Sequence, residues 1–132
     1  MRSPLPTSIE DCREIILARL APLNPVLIYA FGSFGTPRQH PASDIDLAVL
    51  PKTALHPMQC FELAGELSES LGRDVDLIDL KTASTVMAKE VIRTGILLHG
   101  KDDPALDQFE MQTLSDYARL NEERHAVLIT VS

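Results

Sequence analysis

Positions 31–50 read FGSFGTPRQHPASDIDLAVL, and this segment decides how the chain is interpreted. Gly32 and Ser33 are followed by ten residues and then by an Asp-Ile-Asp sequence that contains Asp44 and Asp46. Side chains at i and i+2 of a strand project from the same face, so a strand that begins here presents both carboxylates together. Adjacent carboxylates repel each other, and such hard oxygen ligands suit Mg²⁺ or Mn²⁺. The spacing therefore predicts a divalent-cation site at the start of a strand.

The residues just before this segment explain why Gly32 and Ser33 matter. VLIYAF, at positions 26–31, is a nearly continuous apolar run, which predicts a strand that is covered on both faces and lies in the middle of a sheet. Glycine lets backbone N–H groups approach a ligand closely, and serine can bond a phosphate oxygen. The strand end therefore offers phosphate contacts and the Asp-x-Asp sequence offers cation ligands, which together suit a metal-bound nucleoside triphosphate.

The Gly-Ser pair, the ten-residue interval and the Asp-x-Asp sequence closely resemble the signature of the DNA polymerase β-like nucleotidyltransferase superfamily. The short chain resembles the minimal, single-domain members, of which the MntA-type antitoxins are the best-defined group. The resemblance covers about Val26 to Gly100 and implies an α/β (α+β) fold, in which helices flank a small mixed β-sheet and a C-terminal helix follows. Many members carry Ala-Arg-Gly after the aromatic that follows Gly-Ser, whereas this chain has Gly-Thr-Pro-Arg, ending at Arg38.

A third acid is predicted in VDLIDL, at positions 75–80, which has too many apolar residues for a solvent-facing strand and is predicted to lie inside the sheet. Asp76 is an acid within that strand, and an acid in an interior strand needs a functional reason. Asp74 and Asp79 are the alternatives. Asp74 precedes the strand, and Asp79 either faces away from the neighbours of Asp76 or lies deep in the strand. We therefore predict that Asp76 acts with the two motif acids.

The resemblance implies roles for these residues. Two Mg²⁺ ions, which Mn²⁺ could replace, are expected to be held by three acids: Asp44, Asp46 and Asp76. Asp76 is also expected to deprotonate or orient an acceptor hydroxyl. Gly32 and Ser33 would bind the triphosphate of ATP. Arg38 would either steer the phosphates or simply solvate its loop, and the residues alone leave both readings open.

Length and composition favour one globular domain. The chain has 132 residues, of which 45% are hydrophobic and 23% are charged. We expect the domain core at about residues 7–100 and a C-terminal helical extension at about 104–132. The formal net charge of −7 argues against a general nucleic-acid-binding surface, which needs clustered Lys and Arg.

Cysteine use and the N-terminal sequence predict a soluble, cytoplasmic protein. Cys12 and Cys60 fall inside predicted helices without metal-ligand spacing and are interpreted as reduced, buried thiols. The N-terminal sequence MRSPLPTSIEDC lacks the apolar region of a signal peptide, and no apolar run is long enough to span a bilayer. Scattered surface positions are expected for the four histidines, which share no metal-ligand spacing: His40, His56, His99 and His125.

Apolar periodicity predicts the remaining elements. Strands are predicted at 26–31, 44–50 and 75–80, and a short strand or extended segment at 96–99. Helices are predicted from about Ile9 to before Pro22, at 57–71, at 83–94 and from Pro104 onward, with an irregular loop at 36–43. The 57–71 helix is predicted to carry one apolar face: Phe61, Ala64, Leu67 and Leu71. The last helix is predicted to carry an apolar stripe that is core or partner-facing: Leu106, Phe109, Leu114, Tyr117 and Leu120.

The short chain leaves no room for a second domain to bind the acceptor, so the acceptor is expected to bring its own surface. The resemblance to the MntA-type antitoxins implies a protein adenylyltransferase that transfers AMP from ATP to a tyrosine of a partner HEPN-type ribonuclease toxin. Two alternatives stay open at this point. One is a small-molecule nucleotidyltransferase that completes its acceptor site by dimerising, and the other is a non-catalytic module that neutralises its partner by binding.

Overall fold

A computed structural model of the protein describes residues 9–32 and 45–131. The predicted loop at 36–43 lies outside the described residues, as do Ser33, Arg38 and Asp44. The helices are α1 (Ile9–Leu20), α2 (Pro57–Leu71), α3 (Thr85–Thr94) and α4 (Pro104–Val131), and a short 3-10 helix follows α1 at Ala21–Leu23. The strands are β1 (Leu27–Phe31), β2 (Ile45–Leu50), β3 (Val75–Asp79) and β4 (Ile96–His99).

The four strands form one mixed sheet in the order β3-β2-β1-β4. β1 is antiparallel to both β2 and β4, whereas β2 and β3 are parallel and are connected through α2. The sheet confirms the predicted α/β (α+β) class, and β1 lies in the middle as expected. The prediction that the VDLIDL strand is interior was wrong, because β3 is an edge strand. Its apolar residues are explained by cover on both faces, which an edge strand can also have.

Helices cover both faces of the sheet. α1 and α2 pack on the face formed by alternate strand residues such as Ile28, Leu47 and Val75, all of which are buried. α3 and α4 pack on the opposite face, against Tyr29 and Ala48. No helix in the part of the chain that the structure describes is long and apolar enough to cross a membrane.

α2 has the predicted bounds because both of its ends are capped. The Nδ1 atom of His56 accepts a hydrogen bond from the Met58 N–H at 3.1 Å, and Gly72 ends the helix with φ +67°. Phe61 was wrongly predicted to share the core-facing side, since 76% of its surface is exposed. The buried side instead centres on Leu67 and Leu71, and Phe61 lies about 120° around the helix from Leu67.

α4 packs on the sheet through a narrower stripe than predicted. Leu106 and Phe109 join the buried cluster under the helix. Leu114 is 48% exposed, so its inclusion in the stripe was wrong, and the buried position next to it is Thr113. Thr113 points inward because it follows Phe109 by four positions and so lies on the same face of the helix.

Tyr29 connects the middle of the sheet to α4. Its hydroxyl donates a hydrogen bond to Oε1 of Glu110 at 2.9 Å, and its ring lies 6.4 Å from the ring of Phe109. Burial, and then the hydrogen bond and charge of Glu110, raise the pKa of Tyr29 well above its ordinary value. The folded state therefore holds this proton more tightly than the unfolded state does. The resulting stability is complete below about pH 10 and is lost as the pH rises toward the folded pKa.

We expect Tyr29→Phe to lower the free energy of unfolding by about 1–2 kcal/mol near neutral pH, because Glu110 loses its hydrogen-bond donor. Urea unfolding at about pH 7.5 and about pH 10.5 should show the wild-type advantage shrinking at the higher pH. Tyr29→Phe has no hydroxyl at this position. The change of its stability with pH therefore measures the contribution of all other groups that lose a proton in this range. A difference between the two proteins that stays constant with pH would contradict the proposed linkage.

Candidate active site

The register of β2 and β3 brings two of the predicted acids together. Asp46 is paired with Asp76 across the parallel strands, at the end of the sheet where both strands begin. Paired residues of neighbouring strands project from the same face and lie about 4.8 Å apart. Asp46 is half-buried and Asp76 is exposed. Two carboxylates therefore stand side by side at an open edge of the sheet.

Gly32 completes the described part of this cluster. β1 runs toward the acids and ends at Phe31, which is paired with Asp46, and the chain turns at Gly32 with φ +75°. A Cβ atom on Gly32 would lie 2.6 Å from Oδ2 of Asp46, which is closer than real Cβ atoms approach. The glycine is thus required twice, for its left-handed backbone and for the space that the carboxylate occupies.

Phe31 is a member of this neighbourhood that sequence reasoning missed. It is a half-buried aromatic on the same face as the two acids, directly beside Asp46. The sequence signal that could have identified Phe31 is the alternation of side chains along VLIYAF. It places Tyr29 and Phe31 on one face of the strand, with Phe31 at the end next to the turn. That signal becomes usable only when the register between β1 and β2 is known.

The three other predicted site residues are Ser33, Arg38 and Asp44, and all of them lie outside the described residues. Within residues 9–32 and 45–131 no group of three His, Cys, Asp or Glu side chains is arranged to hold a metal ion. The donors that are described nevertheless fit Mg²⁺, since Asp46 and Asp76 supply hard oxygen ligands from paired positions on one face. Asp44 is two residues before Asp46 in the sequence and is the predicted third ligand.

Asp79 and Asp74, the alternatives for the third acid, have other positions. Asp79 projects from the opposite face to Asp76 and is only 7% exposed. Its carboxylate accepts hydrogen bonds from the backbone N–H groups of Leu55 and Lys81, each at 2.8 Å. Asp74 is exposed and precedes β3. Asp79 therefore holds the loop before α2 against the turn after β3.

We expect Asp79→Ala to destabilise the fold by about 2–3 kcal/mol, because it leaves two partly buried N–H groups without their acceptor. Activity per folded molecule should remain within about twofold of wild type, since Asp79 faces away from Asp76. Urea unfolding measures the first effect and a transfer assay on folded protein measures the second. A variant that is stable yet inactive would instead assign the third acid to Asp79.

The two thiols do not offer a nucleophile. Cys12 is fully buried and Cys60 is half-buried, and both are free. Burial raises the pKa of Cys12, an effect that nearby Arg73 partly offsets. Burial and the charge of Asp79 raise the pKa of Cys60. Since the thiolate is the reactive form, both groups are poorly suited to covalent chemistry near neutral pH.

A surface hollow of about 560 Å³ lies at the end of β4, and it is lined in part by Arg13, His99 and Lys101. β4 is paired so that His99 lies beside Ile28, at the opposite end of the sheet from the acids. The hollow therefore lies away from Asp46 and Asp76. We define the candidate site by these paired carboxylates and not by the hollow.

Comparisons with known proteins find a matching family model and a similar relative. The family described as Polymerase beta, Nucleotidyltransferase matches residues 14–104. The chain is 43% identical over 104 residues to the protein adenylyltransferase MntA of Shewanella oneidensis. The aligned region covers 77% of this chain and 73% of the relative.

Solved structures of toxin–antitoxin complexes are also similar. One is a toxin–antitoxin structure with AMP-PNP, with a TM-score of 0.80 and 39% identity over 90% of this chain and 97% of the other. Another contains an MNT antitoxin with a tri-AMPylated Shewanella oneidensis HEPN toxin. It has a TM-score of 0.78 and 36% identity over 92% of this chain and 97% of the other.

Proposed function

Because the chain belongs to the polymerase beta nucleotidyltransferase family, we propose that it transfers AMP from ATP to a tyrosine of a HEPN-type toxin and so acts as its antitoxin. The observation that carries this proposal is the pairing of Asp46 with Asp76 beside Gly32. Further support comes from the similar adenylyltransferase MntA and from the antitoxin structures with AMP-PNP and with an AMPylated HEPN toxin.

The reaction forms a bond between the acceptor oxygen and the α-phosphorus of ATP and breaks the bond from that phosphorus to the bridging oxygen, releasing pyrophosphate. Asp76 is exposed at the end of the sheet, where its carboxylate can accept the hydroxyl proton or orient the hydroxyl. The turn at Gly32 and the adjacent Ser33 would bind the triphosphate and fix its position relative to Asp76. Arg38 is a candidate for a further phosphate contact.

Asp44, Asp46 and Asp76 would hold two Mg²⁺ ions, and Mn²⁺ would suit the same oxygen donors. When bound, such a pair supplies charge stabilisation to the attacking and leaving oxygens of the displacement. The role of the chain is to place the carboxylates. The parallel register fixes Asp46 and Asp76 on adjacent strands, so their separation does not depend on a loop.

The negative charge of this chain is consistent with a protein acceptor. Its formal net charge is −7, which favours association with a basic, RNA-cleaving partner. Because the reaction consumes ATP, we place the protein in the cytoplasm.

The test is the intact mass of the protein encoded by the neighbouring gene, after incubation with the full chain, ATP and Mg²⁺. The expected result is a gain of one or more AMP units that maps to tyrosine. Binding of the partner without any gain in mass would instead indicate neutralisation by contact. Transfer of AMP to a small molecule in the absence of the partner would indicate a metabolite-modifying enzyme. Either of these results would overturn the proposal.

A further inference from the structure

β3, which carries Asp76, is open along its outer edge. It is the last strand of the sheet, and within residues 9–32 and 45–131 no strand pairs with that edge. The backbone groups of β3 alternate between the two sides. The Asp74 carbonyl accepts from Ile45 N–H at 2.9 Å, and Leu80 N–H donates to the Val49 carbonyl at 2.8 Å. Even-numbered residues therefore bond to β2, and odd-numbered residues direct their N–H and C=O groups outward.

Both ends of this edge are closed by the chain itself. Val75 N–H donates to Oγ of Ser68 at 2.9 Å, which covers the beginning of the strand. The carbonyl of Asp79 accepts from Ala83 N–H at 3.0 Å, which covers the end. Between them lies a short window of outward groups centred on the N–H and C=O of Leu77.

The opposite edge of the sheet is protected differently. On β4, Nε of Arg13 donates a hydrogen bond to the carbonyl of Leu98 at 3.1 Å. A cationic side chain therefore satisfies a backbone carbonyl of this edge strand. Natural sheets commonly cover or charge their edges in this way, because unpaired strand edges attract other strands. In the part of the chain that the structure describes, no strand pairs with the β3 window, which is therefore available for pairing beside the acids.

We propose that the acceptor segment of the protein partner binds as an extended strand along the Leu77 window of β3. This inference rests on the proposed function. A residue added opposite Asp76 projects its side chain from the same face as Asp46 and Asp76, about 4.5–5 Å from Asp76. Backbone pairing alone would thus deliver an acceptor hydroxyl to the acids, in the manner of peptides that extend a sheet.

The occupant is a partner segment and not a second copy of this chain. A second copy paired along β3 would cover the side of Asp76 from which an acceptor has to approach. The formal net charge of −7 favours a partner segment with basic residues. A small-molecule acceptor would make no use of a row of backbone groups.

Leu77→Pro tests the proposal, with Leu77→Ala as its matched control. Both variants lose the half-buried leucine side chain, but only proline removes the outward N–H and places a ring where a partner strand would lie. Proline is tolerated at such positions of edge strands. We expect AMP transfer to the HEPN-type partner to fall at least about tenfold in Leu77→Pro relative to Leu77→Ala, while binding of AMP-PNP stays equal.

Hydrogen exchange of the wild-type chain supplies a second measurement that does not depend on a variant folding. The amides of Leu77 and Asp79 should gain protection when the partner binds, whereas the amide of Val75, already bonded to Ser68, should change little. Unchanged exchange at Leu77, or protection confined to the exposed side of α4 near Leu114, would overturn the docking site. A wild-type chain that fails to modify its partner would overturn the proposed function itself.

Discussion

Asp46→Asn and Asp76→Asn are each expected to reduce AMP transfer by about 10³-fold or more while the fold stays intact. In the proposed mechanism each change removes one anionic metal ligand, while the side-chain shape stays almost unchanged. Stabilisation worth several kcal/mol depends on those ligands, and each 1.4 kcal/mol is a tenfold change in rate. The measurement is the initial rate of pyrophosphate release with the HEPN-type partner and saturating ATP.

Asp74→Asn is the matched control for these two variants. Asp74 is an exposed acid just before β3, so it tests whether any loss of negative charge near the strand lowers the rate. We expect its rate to stay within about twofold of wild type, as is usual for exposed groups outside a site. A loss in Asp74→Asn as large as that in Asp76→Asn would contradict the assignment of Asp76.

Gly32→Ala is the second substitution with a large expected effect. The added Cβ would meet Oδ2 of Asp46 at 2.6 Å, and the short aspartate side chain can relieve that contact only by turning its carboxylate away. Displacement of a catalytic group by about 1 Å can cost about 10²-fold in rate. The left-handed backbone at φ +75° adds about 1 kcal/mol of destabilisation.

Gly65→Ala supplies the control for glycine replacement in general. Gly65 lies in α2, where an added Cβ would have nothing within 4 Å. Alanine should stabilise the helix there by about 0.5–1 kcal/mol and leave the transfer rate unchanged. Thermal unfolding and the pyrophosphate assay should be run on both variants. Equal rates for Gly32→Ala and wild type would show that the Asp46 carboxylate needs no fixed position.

Local signals in the sequence determined the elements of the fold. The bounds of α2 and β4 follow from apolar periodicity and from residues that end an element, as at Gly72. The continuous apolar run of β1 correctly predicted a central strand, because burial on both faces demands apolar residues at every position. The position of Asp46 near the start of a strand was predictable, because the motif spacing and the apolar residues that follow it are properties of the chain alone.

Pairing between distant segments was decided only by the tertiary structure. The sequence could place Asp76 on a strand, but the register that sets it beside Asp46 depends on how α2 returns the chain along the sheet. The same run of apolar residues fits an interior or an edge strand, so the open edge of β3 was not predictable from composition. Asp79 likewise could not be recognised as a loop anchor, because one of its two donors, the Leu55 N–H, lies 24 residues earlier in the chain. Local propensity is encoded along the chain, whereas which strand edges and carboxylates meet depends on packing across it.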